Sequence, residues 1–250
     1  MHIDVVTVFP PILRDPLNES ILKQARKRID FSIELVDLRE YSADKHRTVD
    51  DTPYGGGAGM ILKPEPLYAA LESIFAQRNR KSARVIFPTP QGRLFTQQLA
   101  TELAAESHLV FICGHYKAVD QRVIDEWVTD EVSVGDFILS GGEIPALLMI
   151  DAAVRLIPGV LGDIESAKTD SFENYLLDCP YYTRPEEFRG ERVPDVLISG
   201  HHQKIEEWRL QQKLERTRIR RPDLFAAYEK WVNEKNKIKN KQSEEKIKNK

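Results

Sequence analysis

Three segments of this chain could hold a small molecule through bare backbone. PTPQG at 88–92, CGHYKA at 113–118 and VGDFILSGGEIP at 134–145 each follow an apolar, strand-like run. Glycine and proline at such points make sharp turns that expose N–H and C=O groups to an adenine ring or a carboxylate. Ligands of open α/β sheets collect outside the carboxyl ends of the strands, so three such loops could converge on one pocket. One glycine loop alone is more often a plain turn; three at successive strand ends point to a small-molecule site. The first strand-like run ends in Phe9-Pro10-Pro11 rather than GxGxxG, which disfavours a nicotinamide-type site.

A fourth segment, HRTVDDTPYGGGAGM at 46–60, places Arg47, Asp50, Asp51 and Tyr54 beside Gly55, Gly56, Gly57 and Gly59. These side chains can hydrogen-bond or stack on a planar base. The segment lacks the Gly-Lys-Ser/Thr ending of a triphosphate loop. Asp170, in SAKTDSF beside Ser171, is the best acid–base candidate, and Arg155 could stabilise negative charge developing on an oxygen. By residue type alone, a cap or surface charge is the commoner fate of each. Arg209, Lys213, Arg216 and Arg220 are spaced 4, 3 and 4 residues apart, a basic stripe on one helix face that suits a phosphate backbone. Arg218 and Arg221 widen it. His201-His202 has no Cys or carboxylate partner at a standard ligand spacing, so no metal site is expected there; a role in capping the helix or contacting the linker fits better.

Alternating strand and helix patterns position these residues. Strands are expected at 3–9, 31–38, 84–87, 109–113 and 131–139, with helices at 17–29, 64–75, 96–106, 119–127 and 143–156. That alternation indicates an α/β domain with a mainly parallel sheet. Residues 157–200 are broken by Pro and Gly and read as a linker with short pieces of structure. A long helix follows from His201 to about Arg221, where Pro222 interrupts it, and another covers 223–235. The domain boundaries expected are 1–160 for the α/β domain, 161–183 for the linker and 184–235 for a small helical domain. The Lys-rich 236–250 reads as a disordered tail.

The 250 residues carry a net charge of −3, with 41% hydrophobic and 30% charged residues, an ordinary globular balance. Residues 201–250 hold 15 Lys/Arg against 8 Asp/Glu, leaving 21 against 31 in the rest: an acidic body with a basic arm. No run suits a membrane span or a cleaved export signal, and Cys113 and Cys179 are too few for a disulfide framework. A cytoplasmic location is expected.

Taken together, HRTVDDTPYGGGAGM, PQGR (90–93), VGDFILSGGEIPAL, RLIPGVLG (155–162), DSF (170–172), LLDCPYYTRP (176–185), SGHH (199–202) and WRLQQKLERT (208–217) resemble the bacterial tRNA (guanine-N1)-methyltransferases. These are the TrmD type of the SPOUT superfamily. The resemblance covers nearly everything up to residue 224. It implies methyl transfer from S-adenosylmethionine to N1 of guanosine 37, next to the anticodon of tRNA. It further implies a SPOUT-type, mainly parallel sheet with a deep trefoil knot, and a homodimer with its active site at the subunit interface. Family members respond to magnesium. Carried onto this chain, the cofactor contacts are Pro88, Thr89, Pro90, Gly92, Gly114, Tyr116, Val134, Gly135, Asp136, Phe137, Ile138, Leu139, Gly141, Gly142 and Pro145. Asp170 matches the general base and Arg155 the residue that steadies the guanine oxygen. Asp50 and Gly59 fall on RNA-reading positions, which makes the 46–60 loop a guanine-reading wall rather than a cofactor cradle.

The implied chemistry suits the residues. Guanine N1 is protonated at neutral pH, and a carboxylate held in reach can remove that proton. The charge then moves to O6, where a guanidinium can stabilise it. One stretch departs from the family pattern CGRYEGIDERV: here His115, Lys117 and Ala118 replace Arg, Glu and Gly. Lys117 bears on metal use and rate, and it motivates the competing reading of a catalytically weakened tRNA-binding protein with the same fold.

Overall fold

In the computed structural model the chain divides into two compact units, Met1–Ile164 and Glu165–Lys250. Backbone is described for residues 1–162 and 170–248, and side chains up to residue 237 apart from Glu173.

The first unit is built on a five-stranded sheet of order β2-β1-β6-β5-β8. Its strands are β1 (His2–Thr7), β2 (Ser32–Asp37), β5 (Ala83–Leu94), β6 (His108–Ile112) and β8 (Asp130–Ser133). Every neighbouring pair is parallel, so each link must cross over the sheet, and the crossovers carry helices. β1 and β6 are buried along their whole length, because helices cover both faces of the sheet. Side chains of β6 alternate between two cores. Leu109 and Phe111 pack under α2 (Ser20–Arg28), α4 (Gln97–Ala104) and α6 (Glu143–Val154) with Leu22, Leu103 and Met149. Val110 and Ile112 face α3 (Pro64–Ala76) and α5 (Gln121–Trp127) with Leu67, Leu71 and Trp127. Each such fully buried side chain contributes about 1.5–3 kcal/mol.

Two small strands, β3 (Asp50–Asp51) and β4 (Ile61–Leu62), bracket the glycine loop. β4 also pairs in parallel with β7 (Ala118–Val119). The 46–60 segment is thereby tied to the stretch that follows Cys113.

Two of the expected strands differ in extent. The strand expected at 84–87 continues through PTPQG to Leu94, pairing with β8 on both sides of an irregularity between Pro88 and Arg93. Local pattern argues against a strand through two prolines and a glycine; long-range pairing overrides it. The strand expected at 131–139 stops at Ser133. From Val134, which still packs against the core, the chain leaves the sheet, with Gly135 at φ 143°, and the apolar residues 137–139 are exposed.

In the second unit, α8 (His202–Arg220) and α9 (Pro222–Lys248) meet at Pro222 as expected, preceded by α7 (Asp195–Ile198) and the two-stranded ladder β9 (Glu187–Phe188) and β10 (Glu191–Arg192). Part of the expected linker is built into this unit. Leu176 and Cys179 are buried, the Leu177 N–H donates to Thr217 Oγ1 at 2.9 Å, and Lys213 Nζ pairs with Asp178 at 2.9 Å. The α9 backbone continues to Lys248, past the end expected at 235 and into the stretch read as a disordered tail. No Pro or Gly interrupts residues 223–248, and Lys, Glu and Gln are good helix formers.

Candidate active site

The three glycine loops enclose one cavity of about 400 Å³ in the first unit. β5 supplies Phe87 to Gln91, the turn after β6 supplies Gly114 to Val119, and the excursion after β8 supplies Val134, Gly135 and Phe137 to Gly142. Pro145, in the first turn of α6, closes one side; its missing N–H falls where a helix start leaves donors unpaired anyway. Every cofactor candidate read from the sequence lines this cavity except Gly92 and Asp136. Gly92 acts beneath it, where an added Cβ would run into the backbone of Glu131 and Val132.

Close backbone approach explains the glycines here. The Gly142 N–H donates to Gly114 O at 2.7 Å, and His115 and Gly141 form an isolated antiparallel bridge. A Cβ on Gly142 would lie 2.9 Å from Cys113 Cα, and one on Gly114 would lie 2.8 Å from the Phe87 ring. Side chains at these positions would push the loops apart. The resulting wall is flat, apolar and rich in backbone polar groups, which suits a nucleoside with a charged tail.

Beneath the loops lies a polar core that sequence reading missed. Glu143, 2% exposed, accepts the Thr7 hydroxyl at 2.7 Å at the start of α6. His115 Nδ1 sits 3.6 Å from its other oxygen and has no hydrogen-bond partner among the described residues. Burial, joined by the Glu143 charge, pushes the Cys113 thiol well up, so this cysteine is a packed thiol rather than a nucleophile. The available signal was a lone Glu opening an apolar helix directly after Gly141-Gly142. Gln121 and Ile124 also line the cavity, and nothing local in the sequence marks them.

A family profile described as tRNA (Guanine-1)-methyltransferase TrmD matches residues 1–227. The chain belongs to this methyltransferase family. It is 53% identical over 239 residues to the tRNA (guanine-N(1)-)-methyltransferase of Shouchella clausii, covering 96% of this chain and 97% of that protein. The like-named protein of Anoxybacillus flavithermus is 51% identical over 238 residues, 93% and 97% of the two chains. That of Chlorobium chlorochromatii is 53% identical over 225 residues, 90% and 96%.

The remaining site residues expected of this methyltransferase are placed as follows. Arg155 is the C-cap of α6. It stands ten residues beyond Pro145, about 15 Å along the helix axis at 1.5 Å per residue, and is not among the described residues lining the cavity. Asp170 and Ser171 lie in the second unit, where the Ser171 hydroxyl accepts the Asp178 N–H at 3.0 Å. Asp50, in β3, pairs with Leu62, and Gly59 holds a φ of 99° against the Lys117 side chain. In α8, Arg209 is paired with Glu206 at 2.7 Å, while Arg218 and Arg220 are exposed. Lys213 is committed to Asp178, whose carboxyl is held below its ordinary range: burial opposes this, but Lys213 and the Cys179 N–H outweigh it. His201 sits at the N-cap without a side-chain capping bond; its own N–H donates to Ser199 Oγ at 3.2 Å.

Proposed function

We propose that this protein methylates N1 of guanosine 37 in tRNA, next to the anticodon, using S-adenosylmethionine. Membership of the methyltransferase family over almost the full chain carries this reading. The cavity between Gly92-supported β5, the Gly114 turn and the Gly141-Gly142 turn is where the methyl donor would be held. Its volume and its glycine-lined backbone fit a nucleoside. When bound, the cofactor supplies an electrophilic methyl on a sulfonium sulfur.

The protein's own residues then have defined tasks. Asp170, in the DSF segment, accepts the N1 proton, and Arg155 stabilises the charge that appears on O6. Asp50 and Gly59 border the base, with the loop between β3 and β4 as its wall. Arg209, Lys213, Arg216 and Arg220 face the tRNA backbone, with Arg218 and Arg220 both exposed at the end of α8. The transfer from a sulfonium needs no metal to expel the leaving group, and chelation tests whether magnesium has any part in it.

We place the working enzyme in the cytoplasm as a homodimer, with the 1–160 segment knotted as in its superfamily, followed by the 161–183 connection and the 184–235 tRNA-binding domain. The dimer is supported by the roughly 15 Å between Arg155 and Pro145 within one chain: Arg155 would serve a partner's cavity. Ile144 and Leu148, one helical turn apart on α6 and 52% and 47% exposed, support it further. Among the described residues no helix is long and apolar enough to cross a membrane.

The deciding experiment incubates the protein with S-adenosylmethionine and unmethylated tRNA and analyses the nucleosides by mass spectrometry. 1-Methylguanosine is expected, and a different modified nucleoside would redirect the assignment to another base or to ribose. Asp170→Asn should keep cofactor affinity and lower turnover by about 10²-fold or more. Near-wild-type turnover would remove Asp170 as the base.

A further inference from the structure

Among the described residues Lys117 is the only Lys or Arg side chain that lines the cavity, and it is held there by the glycine loop. Its N–H donates to Met60 O at 3.0 Å, just ahead of the β4–β7 pairing of Ile61 with Ala118. Its Cβ and Cδ lie 3.2 and 3.5 Å from the point that a Gly59 Cβ would occupy, and its Nζ lies 3.8 Å from the corresponding point at Gly57. Both glycines have positive φ, 99° and 110°. The loop therefore packs along the lysine stem because it is bare at these positions.

The charged end has a different environment. Among the described residues no carboxylate pairs with Lys117 within 4 Å, so its ammonium, unlike that of Lys213 held to Asp178, is not committed to a protein counter-charge. Glu131, the one acidic side chain among the described residues that line the cavity, makes no ion pair with it. An exposed ammonium positioned by its stem at a cavity mouth, with no protein counter-charge, is arranged to receive an anionic oxygen from outside.

We propose that Lys117 binds an anionic oxygen of a reactant at the cavity mouth, a phosphate of the target RNA or the carboxylate of the methyl donor. The proposal rests on the methyltransferase reading above and adds a positioning residue to it. Both sources present the same chemistry to an ammonium, and binding measurements separate them.

Lys117→Gln, Lys117→Arg and Lys117→Glu would be compared with wild type in two assays that need no turnover. One measures tRNA affinity across a range of KCl concentrations; the other titrates S-adenosylmethionine, and its decarboxylated analogue, by calorimetry without RNA. A phosphate contact predicts that Lys117→Gln reduces the slope of log K against log salt by about 0.9 and leaves cofactor affinity alone. A carboxylate contact predicts a weaker cofactor complex for Lys117→Gln, of about fivefold or more, with no change for the decarboxylated analogue. In either case Lys117→Arg retains binding, and Lys117→Glu, which restores the family's usual residue, loses the same contact as Lys117→Gln. The proposal is overturned if Lys117→Gln changes neither affinity, or if Lys117→Arg fails as badly as Lys117→Gln, which would mark a packing role against Gly57 and Gly59. A wild-type protein that binds both ligands but forms no 1-methylguanosine would instead sink the activity, with the Lys117 contact still measurable.

Discussion

At the scale of single residues, polar groups buried at the two ends of the sheet do different work. At the amino ends of β1 and β6, Asp4 accepts from His108 Nε2 at 2.7 Å and His2 Nε2 at 3.1 Å, while His2 Nδ1 meets Ser32 Oγ at 2.6 Å. Burial opposes ionisation of Asp4, but the bond to His108 and the charge of and bond to His2 outweigh it, so its carboxyl stays below the ordinary Asp range. A depressed carboxylate stabilises the fold at pH values above its unfolded pKa, and that contribution disappears as pH falls through the folded value, below about pH 4. Asp4→Asn should therefore cost about 1–3 kcal/mol at neutral pH and flatten the acid side of the melting-temperature profile. An unchanged acid limb, followed by calorimetry from neutral pH downward, would locate acid sensitivity elsewhere. At the carboxyl ends, Glu143 organises the floor of the cavity instead. Neither cluster was legible in the sequence, because each is assembled from residues far apart in the chain, Asp4 with His108 and Thr7 with Glu143.

At the scale of elements, the sequence located the cavity well and its strands less well, for one reason. Glycine and proline mark where backbone must turn or be approached, and those marks are local; thus PTPQG, CGH and SGGEIP identified the walls directly. The pairing of β5 with β8 around Pro88 and Arg93 is non-local, so the strand looked four residues long. The run from Val134 to Leu139 has a strand's apolar character, but only Val134 packs against the core, and Phe137 and Ile138 are exposed. Gly92 tests this picture. It lies on β5 where β8 passes closest, and a methyl group would meet main chain that cannot rotate away. Gly92→Ala should destabilise the protein by about 1–3 kcal/mol, and it should weaken S-adenosylmethionine binding although Gly92 does not line the cavity. A melting curve and a calorimetric titration that both match wild type would contradict the close β5–β8 approach. In the second unit, the Lys213–Asp178 pair ties the 176–179 segment to α8. Lys213→Met should therefore lower stability more than it lowers the salt dependence of tRNA binding, whereas Arg218→Ala and Arg220→Ala should do the reverse.

At the scale of the whole molecule, the acidic body and basic arm seen in the composition match what the two units contain: a glycine-walled cavity in the first and a cation-rich helix in the second. In the sequence a dimer is implied by resemblance alone, since an apolar helix such as α6 reads as core. Only the fold reveals that Ile144 and Leu148 face outward and that Arg155 stands at the far end of α6 from the cavity. If Arg155 serves the partner's cavity, two differently damaged chains should repair each other. Arg155→Ala removes the guanidinium, and Ser140→Trp fills the cavity from an exposed loop position; each homodimer should be nearly inactive. After unfolding and refolding together, half of the dimers would be mixed, and each mixed dimer would hold one doubly damaged site and one intact site. Activity should then recover to about a quarter of the wild-type value, as a two-fold symmetric interface requires. If Arg155 acts within its own chain, every site in the mixed dimer carries one lesion and no activity returns. Ile144→Asp combined with Leu148→Asp gives the companion test: it should yield monomers by light scattering, and those monomers should be inactive while still binding S-adenosylmethionine. A dimer that persists in this variant would move the interface off the exposed face of α6.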